Sequence, residues 1–402
     1  MQRDDLALTI AVVAACPFPA PRGTPIRIQR LAEAVAARGH RVHVVTYHYG
    51  SGEIAPELTI HRTPRVRTYH KLAPGPTYVK LALLDPMLTF KLRRVLRRYP
   101  VDVIHAHHFE GLLVAQVARL GTGIPLVFDA HTLLLSELPF YRLGLPLRAK
   151  RFIAAAFDRH LPVMGDHVVT VTDRIRERLL QLRAVTEDGV TVVRNGADLH
   201  LFKPPSSGKA QRTTASPTLI FTGNLAPYQG IDLMLRAFRR VLDRRRDVRL
   251  TIVTDSSFDQ FDALARDLGI RSSIDVMQAP FEEVPGQLAT ATVAMNPRTE
   301  CDGIPVKLLN YMAAGKPVVS FAGSAPGVRH GESGWLVADG DIEGLAEGAL
   351  TLMGNAGLAD ALGSGARRFV EAQHSWDRSA ELLEDIFRRL IVRRAGSQVG
   401  LS

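Results

Sequence analysis

Short runs of β-branched residues alternate with helical stretches along almost the whole chain, and this alternation limits the possible folds most strongly. The first runs are "LTIAVVAA", "RVHVVTY", "VDVIHAH", "PLVFDAH", "HVVTVT" and "VTVVRNG". After the polar, Pro- and Ser-rich stretch 203–217 come "TLIFTGN", "VRLTIVT", "IDVMQA", "ATVAMNP" and "PVVSF". Strands that alternate with helices form parallel sheets covered by helices on both faces. The sequence therefore predicts an α/β protein of two doubly wound, Rossmann-like domains.

The polar stretch marks the predicted domain boundary. We expect an N-terminal domain over 1–198, a linker over 199–217, a C-terminal domain over 218–372, and a helix with a tail over 373–402. The final helix can pack on either domain. A chain of 402 residues, 46% of them hydrophobic, supplies two cores. Doubly wound domains bind ligands at the carboxyl ends of their strands, so candidate site residues are sought there.

Cysteine content and apolar runs bear on location. Cys16 and Cys301 are the two cysteines, and neither belongs to a C-x-x-C pattern, which indicates a reducing compartment without disulfides. The apolar run after the net-acidic "MQRDD" is interpreted as a buried strand rather than a secretion signal. No run approaches the roughly 18 apolar residues of a membrane span. The sequence predicts a cytoplasmic protein.

The formal charge of +10 is concentrated in one segment. Residues 62–98 hold ten Lys or Arg and one acid, Asp85, a net charge of +9. No signature of RNA or DNA binding accompanies this charge, so we expect no nucleic-acid partner. Two interpretations stay open for "YVKLALLDPMLTFKLRRVLRR". It is a basic amphipathic helix on an anionic membrane surface, or a helix packed by its apolar face with solvated basic residues.

The segment "DGIPVKLLNYMAAGKPVV", 302–319, predicts a short helix with an uncapped start. Pro305 suits the first helical position and Gly315 the residue just past the end. Because Ile304 cannot cap, the first N–H groups lack a side-chain partner, and Lys307 lies beside them. Such a helix end favours anions. The alternative is an amphipathic surface helix with a solvated lysine.

Two other segments follow predicted strands. In "PRGTPIR", Gly23 allows close approach of the backbone to a ligand, and Thr24 can cap a helix with Pro25 at its first position. The alternative is an ordinary strand–helix turn. His131 ends the strand "PLVFDAH", at the edge where such folds bind ligands. A lone histidine at a strand end is more often structural.

We expect no metal cofactor. The "HAHH" run at 105–108 has too compact a spacing for a zinc site on a strand. The "DGD" at 339–341 precedes a helical pattern, so Asp341 is interpreted as a helix N-cap rather than a metal ligand. Neither a Walker A loop nor a complete G-x-G-x-x-G occurs, which argues against a nucleotide hydrolase and a dehydrogenase.

Taken in order, the motifs make the chain resemble the retaining, nucleotide-sugar-dependent glycosyltransferases of family 4, which have the GT-B fold. The resemblance runs from about Ala7 to about Leu390 and rests on "PFPAPRGTPIRIQRLAEAVAARGHRVHVVTY", "VDVIHAH", "FDAHT", "VTDRIRERL", "VVRNGADLHLFKP", "FTGNLAPYQGIDLMLRAF" and the 302–319 segment. It implies two domains that face a central cleft. It also implies transfer of a sugar from a nucleoside-diphosphate sugar to a hydroxyl acceptor.

The resemblance implies roles for individual residues. Asp302 would face the hydroxyls of the donor sugar and Asn310 those of the ribose, where the family usually has two glutamates spaced eight apart. Glu300 lies two residues out of register with the first. His131 would lie close to the donor sugar and is, with Asp302, a catalytic candidate. The remaining donor-binding candidates are Gly23, Thr24, Gly303, Ile304, Pro305, Val306 and Lys307.

A departure from the family lies after the first strand of the C-terminal domain. The family usually has an Arg there and, five residues on, a Lys, both directed at the diphosphate. Asn224 and Gln229 occupy these positions. They are donor-binding candidates, but neutral contacts are typically about half as strong as charge-assisted ones. Two alternatives to a transferase therefore stay open: a non-catalytic subunit that binds carbohydrate or lipid, and a sugar-nucleotide 2-epimerase.

The family often glycosylates lipids or lipid-linked sugars, with the N-terminal domain usually on the acceptor side. The resemblance thus implies a role in the synthesis of cell-surface polysaccharide or glycolipid. Together with the charge of 62–98, it leads us to expect peripheral attachment to the inner face of the cell membrane.

Overall fold

The protein forms two compact units, each built around one parallel sheet. The computed structural model describes residues 7–20, 23–70, 77–140, 144–204, 216–301 and 303–399. One unit consists of Met1–Arg194 with Trp376–Ser402, and the other of Asn195–Ser375. The two parallel sheets with their helices confirm the predicted doubly wound α/β class.

The division between the units differs by a few residues from the expected ranges. It falls between Arg194 and Asn195, slightly before the end of the expected domain 1–198. Most of the expected linker, residues 205–215, lies outside the described residues. The final helix belongs to the first unit and not to a segment of its own.

The first sheet has seven parallel strands in the order β3-β2-β1-β4-β5-β6-β7. The strand order reverses between β1 and β4, so the loops that follow these two strands diverge and leave a crevice at the carboxyl edge. The strands are β1 Thr9–Ala14, β2 Arg41–Thr46, β3 Leu58–Arg62, β4 Val103–His107, β5 Leu126–Ala130, β6 His167–Thr170 and β7 Val190–Val192.

The second sheet has six parallel strands in the order β10-β9-β8-β11-β12-β13. Its order reverses between β8 and β11, which places the corresponding crevice at their carboxyl ends. The strands are β8 Thr218–Thr222, β9 Arg249–Val253, β10 Ile274–Met277, β11 Val293–Asn296, β12 Val318–Phe321 and β13 Trp335–Val337.

Helices connect the strands in both units. In the described part of the chain, no helix combines the length and the apolar character needed to cross a membrane. The α-helices are α1 Gly23–Ala37, α2 Asp85–Arg98, α3 His108–Ala118, α4 Leu134–Glu137, α5 Leu147–His160, α6 Asp173–Gln181, α7 Ile231–Arg244, α8 Asp259–Asp267, α9 Val284–Thr290, α10 Val306–Ala313, α11 Ile342–Gly354, α12 Ala356–Gln373 and α13 Trp376–Val399.

The last helix, α13, completes the core of the first unit. All six residues of β1 are buried, as expected for a central strand covered on both faces. The helix contributes Trp376, Leu383 and Phe387 to the same apolar cluster as Ile28 and Leu31 of α1. The core on this face of the first sheet therefore joins α1 to α13, which is distant from it in sequence.

The basic segment 62–98 contains the helix expected from its sequence. A π-helical turn, Lys80–Leu84, leads directly into α2. One face, which includes Leu88 and Leu92, is fully buried in the core. Phe90 on α2 is 75% exposed, and Tyr78 just before the turn is 76% exposed. The helix thus packs by one apolar face and leaves other large apolar side chains in solvent.

Candidate functional site

In the second unit the loops after β8 and β11 touch at the point where the strand order reverses. Gly230 ends the first loop with φ +69°, and a Cβ atom placed there would lie 2.0 Å from the Pro297 carbonyl oxygen in the second loop. Any side chain at this position would clash with the backbone, so glycine is required for the approach. The two loops form one wall of the candidate site.

Helix α10 is held against the end of β8 by a buried tyrosine. The Tyr311 hydroxyl accepts a hydrogen bond from the Thr222 backbone N–H at 2.6 Å. The helix begins at Val306 and not at Pro305, which occupies the cap position, so its first residue is one later than expected. Among the residues that the structure describes, no side chain caps it, as predicted. Gly315 follows the helix with φ +66°, which confirms its expected role.

The start of α10 presents hydrogen-bond donors and a lysine. The N–H groups of Leu308 and Leu309 donate to the Pro305 carbonyl at 2.9 and 3.2 Å. Those of Val306 and Lys307 have no partner within the described ranges of the chain. The Lys307 ammonium lies 3.8 Å from the centre of the Phe221 ring. This arrangement of N–H groups and a cation suits an anion.

Lys307 also joins the two residues that replace the family's basic pair. Its ammonium donates to Gln229 Oε1 at 2.5 Å, and Gln229 Nε2 donates to Asn224 Oδ1 at 3.2 Å. The pKa of Lys307 lies well below its ordinary value, mainly because the ammonium is buried and to a smaller extent because the positive charge of Arg298 is near. Three predicted site residues, Asn224, Gln229 and Lys307, therefore form one chain of contacts.

The other predicted residues of this unit lie around the same helix. Asn310 is buried one turn beyond Lys307 on α10, and Gly303 and Ile304 are buried in the approach to the helix. Asp302, predicted to face the donor sugar, lies outside the described residues. Glu300, the out-of-register candidate, is exposed.

Sequence reasoning missed Arg298 in this site. Arg298 is the second residue after β11, and its guanidinium lies 4.8 Å from the centre of the Tyr228 ring. Its Nε donates to the Glu300 carbonyl oxygen at 2.5 Å. The available signal was its place in "AMNPR", directly after a strand end, where ligands bind in this fold class.

The "DGD" segment has the structural role expected of it. Asp341 caps α11, since its Oδ1 accepts from the Gly344 N–H at 2.8 Å, which confirms the predicted N-cap. Asp339 Oδ1 accepts from the Gly323 N–H, also at 2.8 Å. Both carboxylates are thus engaged by backbone donors.

In the first unit, His131 belongs to a buried polar network at the carboxyl ends of β4 and β5. Its Nε2 lies 2.9 Å from His107 Nδ1, and its ring centre lies 4.5 Å from that of His108. Arg27 from α1 makes a fully buried ion pair with Asp129, at 2.9 Å. Burial lowers the pKa of both His107 and His131 well below its ordinary value, so both rings are neutral near pH 7.

Thr24 of α1 also contacts this network. The Thr24 hydroxyl lies 2.9 Å from His108 Nε2. Thr24 lies within α1 and not at the predicted cap position. A Cβ atom at Gly23 would meet no atom of the described residues within 4 Å.

Three buried side chains of the network could in principle hold a metal ion. The ligand atoms of His105, His107 and Asp129 lie within 4.8 Å of one another. The compact "HAHH" spacing argued against zinc, but residues two apart on a strand share a face, and Asp129 comes from the neighbouring strand. The Arg27 guanidinium already neutralises Asp129 and would repel a divalent cation. We interpret the cluster as a structural polar network.

Comparisons with known proteins agree with this architecture. Residues 21–201 match the family model "Glycosyltransferase Family 4", and residues 216–355 match "Glycosyl transferases group 1". D-inositol 3-phosphate glycosyltransferase 1 of Catenulispora acidiphila is 30% identical over 315 residues, 72% of each chain.

Two solved structures are similar over almost their whole length. Sucrose-phosphate synthase from Thermosynechococcus elongatus has a TM-score of 0.79 at 19% identity, and the match covers 96% of this chain and all of that one. Anabaena HepE, solved with UDP and glucose, has a TM-score of 0.69 at 17% identity, with 95% and 99% covered.

Proposed function

Since this chain belongs to the family 4 glycosyltransferases and has the GT-B fold, we propose that its donor is a nucleoside-diphosphate sugar. The sugar passes to a hydroxyl acceptor with retention at the anomeric carbon. The observation that carries the proposal is the start of α10, where an uncapped helix end and the Lys307 ammonium lie together. The transition state of such a transfer resembles an oxocarbenium ion, and negative charge develops on the departing diphosphate. These donors would stabilise that charge.

The roles proposed for residues of α10 follow from their place on the helix, and those proposed for Asp302 and His131 follow from the family resemblance. The N–H groups of Val306 and Lys307 and the Lys307 ammonium stabilise charge on the leaving diphosphate. Asn310, one turn further on, is proposed to contact the ribose, and Asp302 and His131 the donor sugar. No metal is required in this proposal, because backbone donors and a lysine supply the positive field.

Binding of a nucleoside diphosphate tests the proposal. Calorimetry with UDP, GDP, ADP and TDP should give saturable binding for at least one of them, and UDP is the first choice because HepE, similar in fold, is solved with it. Lys307→Ala should weaken that binding by about 1.5–3 kcal/mol, as expected for a charge-assisted hydrogen bond. Lys203→Ala, a change of an exposed lysine in the same unit, is the matched control. Equal affinity in the Lys307 variant removes this residue from the site.

Turnover separates the transferase from its two alternatives. Sugar transfer to an acceptor, measured in excess EDTA, is the expected result. Conversion of UDP-N-acetylglucosamine without an acceptor would instead identify a 2-epimerase. Nucleotide binding without turnover on any acceptor would identify a non-catalytic binding subunit.

We also propose that the acceptor is presented at a lipid surface, as in the synthesis of cell-surface polysaccharide or glycolipid. The support comes from segment 62–98, where Phe90 and Tyr78 are about three-quarters exposed beside the exposed basic residues Arg94, Arg97 and Arg98. Exposed aromatic side chains next to cations suit the boundary between lipid headgroups and acyl chains. The buried face of α2 is already used in packing. Contact with lipid would therefore be made by the remaining side chains.

A further inference from the structure

We propose that Arg298 is a second cation of the donor site and binds the diphosphate together with Lys307. This inference rests on the proposed function and deepens it. Asn224 and Gln229, in the loop after β8, are neutral and supply no positive charge. The inference assigns that charge to Arg298, in the loop after β11. The structure places Arg298 where the strand order of the second sheet reverses, between β8 and β11.

The location of Arg298 is fixed by both loops of the wall. Tyr228 contacts both Asn224 and Arg298. Its hydroxyl accepts a hydrogen bond from Asn224 Nδ2 at 3.3 Å, and the Arg298 guanidinium lies over its ring. The guanidinium therefore lies next to the position where a basic residue is usual in the family. The Arg298 carbonyl accepts from Ser324 Oγ at 2.6 Å, which anchors the backbone on the side of β12.

The orientation of the guanidinium is also set. Its Nε donates to the Glu300 carbonyl, and its central carbon lies over the Tyr228 ring. The two Nη groups have no partner among the residues that the structure describes. Because a guanidinium presents its N–H groups in a rigid plane, these two groups can reach two oxygens of a phosphate at once.

The charge balance favours an anionic ligand. Within the described residues, which do not include Asp302, no carboxylate forms an ion pair with Arg298 or Lys307. The two cations are close enough that Arg298 contributes to the lowered pKa of Lys307. Neighbouring like charges without a counterion are unfavourable in a half-buried site. A diphosphate would remove that repulsion as it binds.

Arg298→Gln tests the assignment. The probe is whichever of UDP, GDP, ADP and TDP the wild-type protein binds most tightly. We expect the variant to lose about 10- to 100-fold in affinity, the range for a charge-assisted contact. Arg298→Lys should lose less, since it keeps the charge but not the planar pair of donors. The matched control, Arg329→Gln, removes an exposed arginine of the same unit that pairs with Glu332 and should bind like the wild type.

The outcomes separate the inference from the proposed function. Wild-type protein that binds none of the four nucleotides overturns both. Binding that falls in Lys307→Ala but not in Arg298→Gln overturns only the role of Arg298. If Arg298→Gln does not fold, Tyr228→Leu replaces a ring that is 54% exposed and removes the support of the guanidinium. A several-fold loss of affinity there supports the assignment, and unchanged affinity overturns it.

Discussion

At the scale of single residues, His131 is the side chain whose sequence position and surroundings suggest different roles. It ends a strand at the ligand-binding edge, yet its Nε2 faces His107 in a buried network. We expect His131→Ala to lower kcat about tenfold or more. A tenfold decrease corresponds to the loss of about 1.4 kcal/mol of transition-state stabilisation, from a contact that strengthens as the transition state forms. Nucleotide affinity should change less.

Steady-state kinetics measure the effect on kcat, and calorimetry on the same preparations measures the effect on nucleotide affinity. His160→Ala, an exposed histidine at the end of α5, serves as the control. A folded His131 variant with wild-type kcat would assign the residue to structure alone.

The candidate site was predictable from sequence where the signal is local. The uncapped helix start and Lys307 follow from a few neighbouring residues, since caps and helix ends are decided within one turn. Arg298 and the Asp129 network were not found, because their contacts join loops or strands distant in sequence. His105 meets Asp129 only through the register of β4 with β5, which no short pattern contains.

At the scale of elements, Glu384 ties α13 to α1. Its carboxylate accepts from Arg38 at 2.6 Å and from Arg388 at 2.7 Å. Burial alone would raise the pKa of this carboxyl group, but the hydrogen bonds lower it from 4.5 to about 2. Because the folded-state pKa is the lower one, the stabilisation is complete above pH 4.5. It disappears as the pH falls toward 2.

Glu384→Gln should therefore lower the free energy of unfolding at pH 7 by roughly 1–2 kcal/mol, after allowance for solvent screening. The difference from the wild type should shrink between pH 4.5 and the lowest pH at which both proteins fold. Urea denaturation over that range measures it. Glu381→Gln, which removes an exposed i,i+3 pair with Arg378 on the same helix, should have little effect. A pH-independent difference would contradict the assigned cause.

The strands and helices were predicted to different degrees for a physical reason. Central strands such as β1 are buried on both faces and appear as unbroken apolar runs. The edge strands β3 and β13 were not predicted. Only Leu58 of β3 is buried, and all three residues of β13 are half-buried, so neither forms a long apolar run. The packing partner of α13 was also open, because its apolar face suits either unit.

At the scale of the whole molecule, the proposed attachment to lipid depends on where the charge lies. The protein should float with liposomes that contain anionic lipid at low salt, since each Lys or Arg near the membrane surface contributes about 1 kcal/mol to the binding free energy. The protein should come off at 1 M salt, where the Debye length is ~3 Å instead of ~10 Å at 0.1 M. Wild-type protein that ignores anionic liposomes at low salt would contradict the proposal.

Two sets of substitutions locate the attachment. Replacing Arg93, Arg94, Arg97 and Arg98 with Gln should abolish flotation and leave nucleotide binding intact. The matched control removes the same charge from the second unit by replacing Arg239, Arg240, Arg244 and Arg245 with Gln. Equal loss of flotation in both would indicate a non-specific effect of net charge. Phe90→Ala should weaken flotation without changing the charge.

The place of α13 in the first unit has a consequence for synthesis. Residues 195–375 leave the ribosome as a complete unit, whereas the first unit must wait for Trp376 and the helix that follows. Until then, the apolar surface around Ile28 and Leu31 of α1 lacks the side chains that cover it in the finished protein. The first unit is therefore completed only after the second unit has been synthesised. A chain that stops at Ser375 would display that open surface beside an intact second unit, in the form that chaperones and proteases recognise.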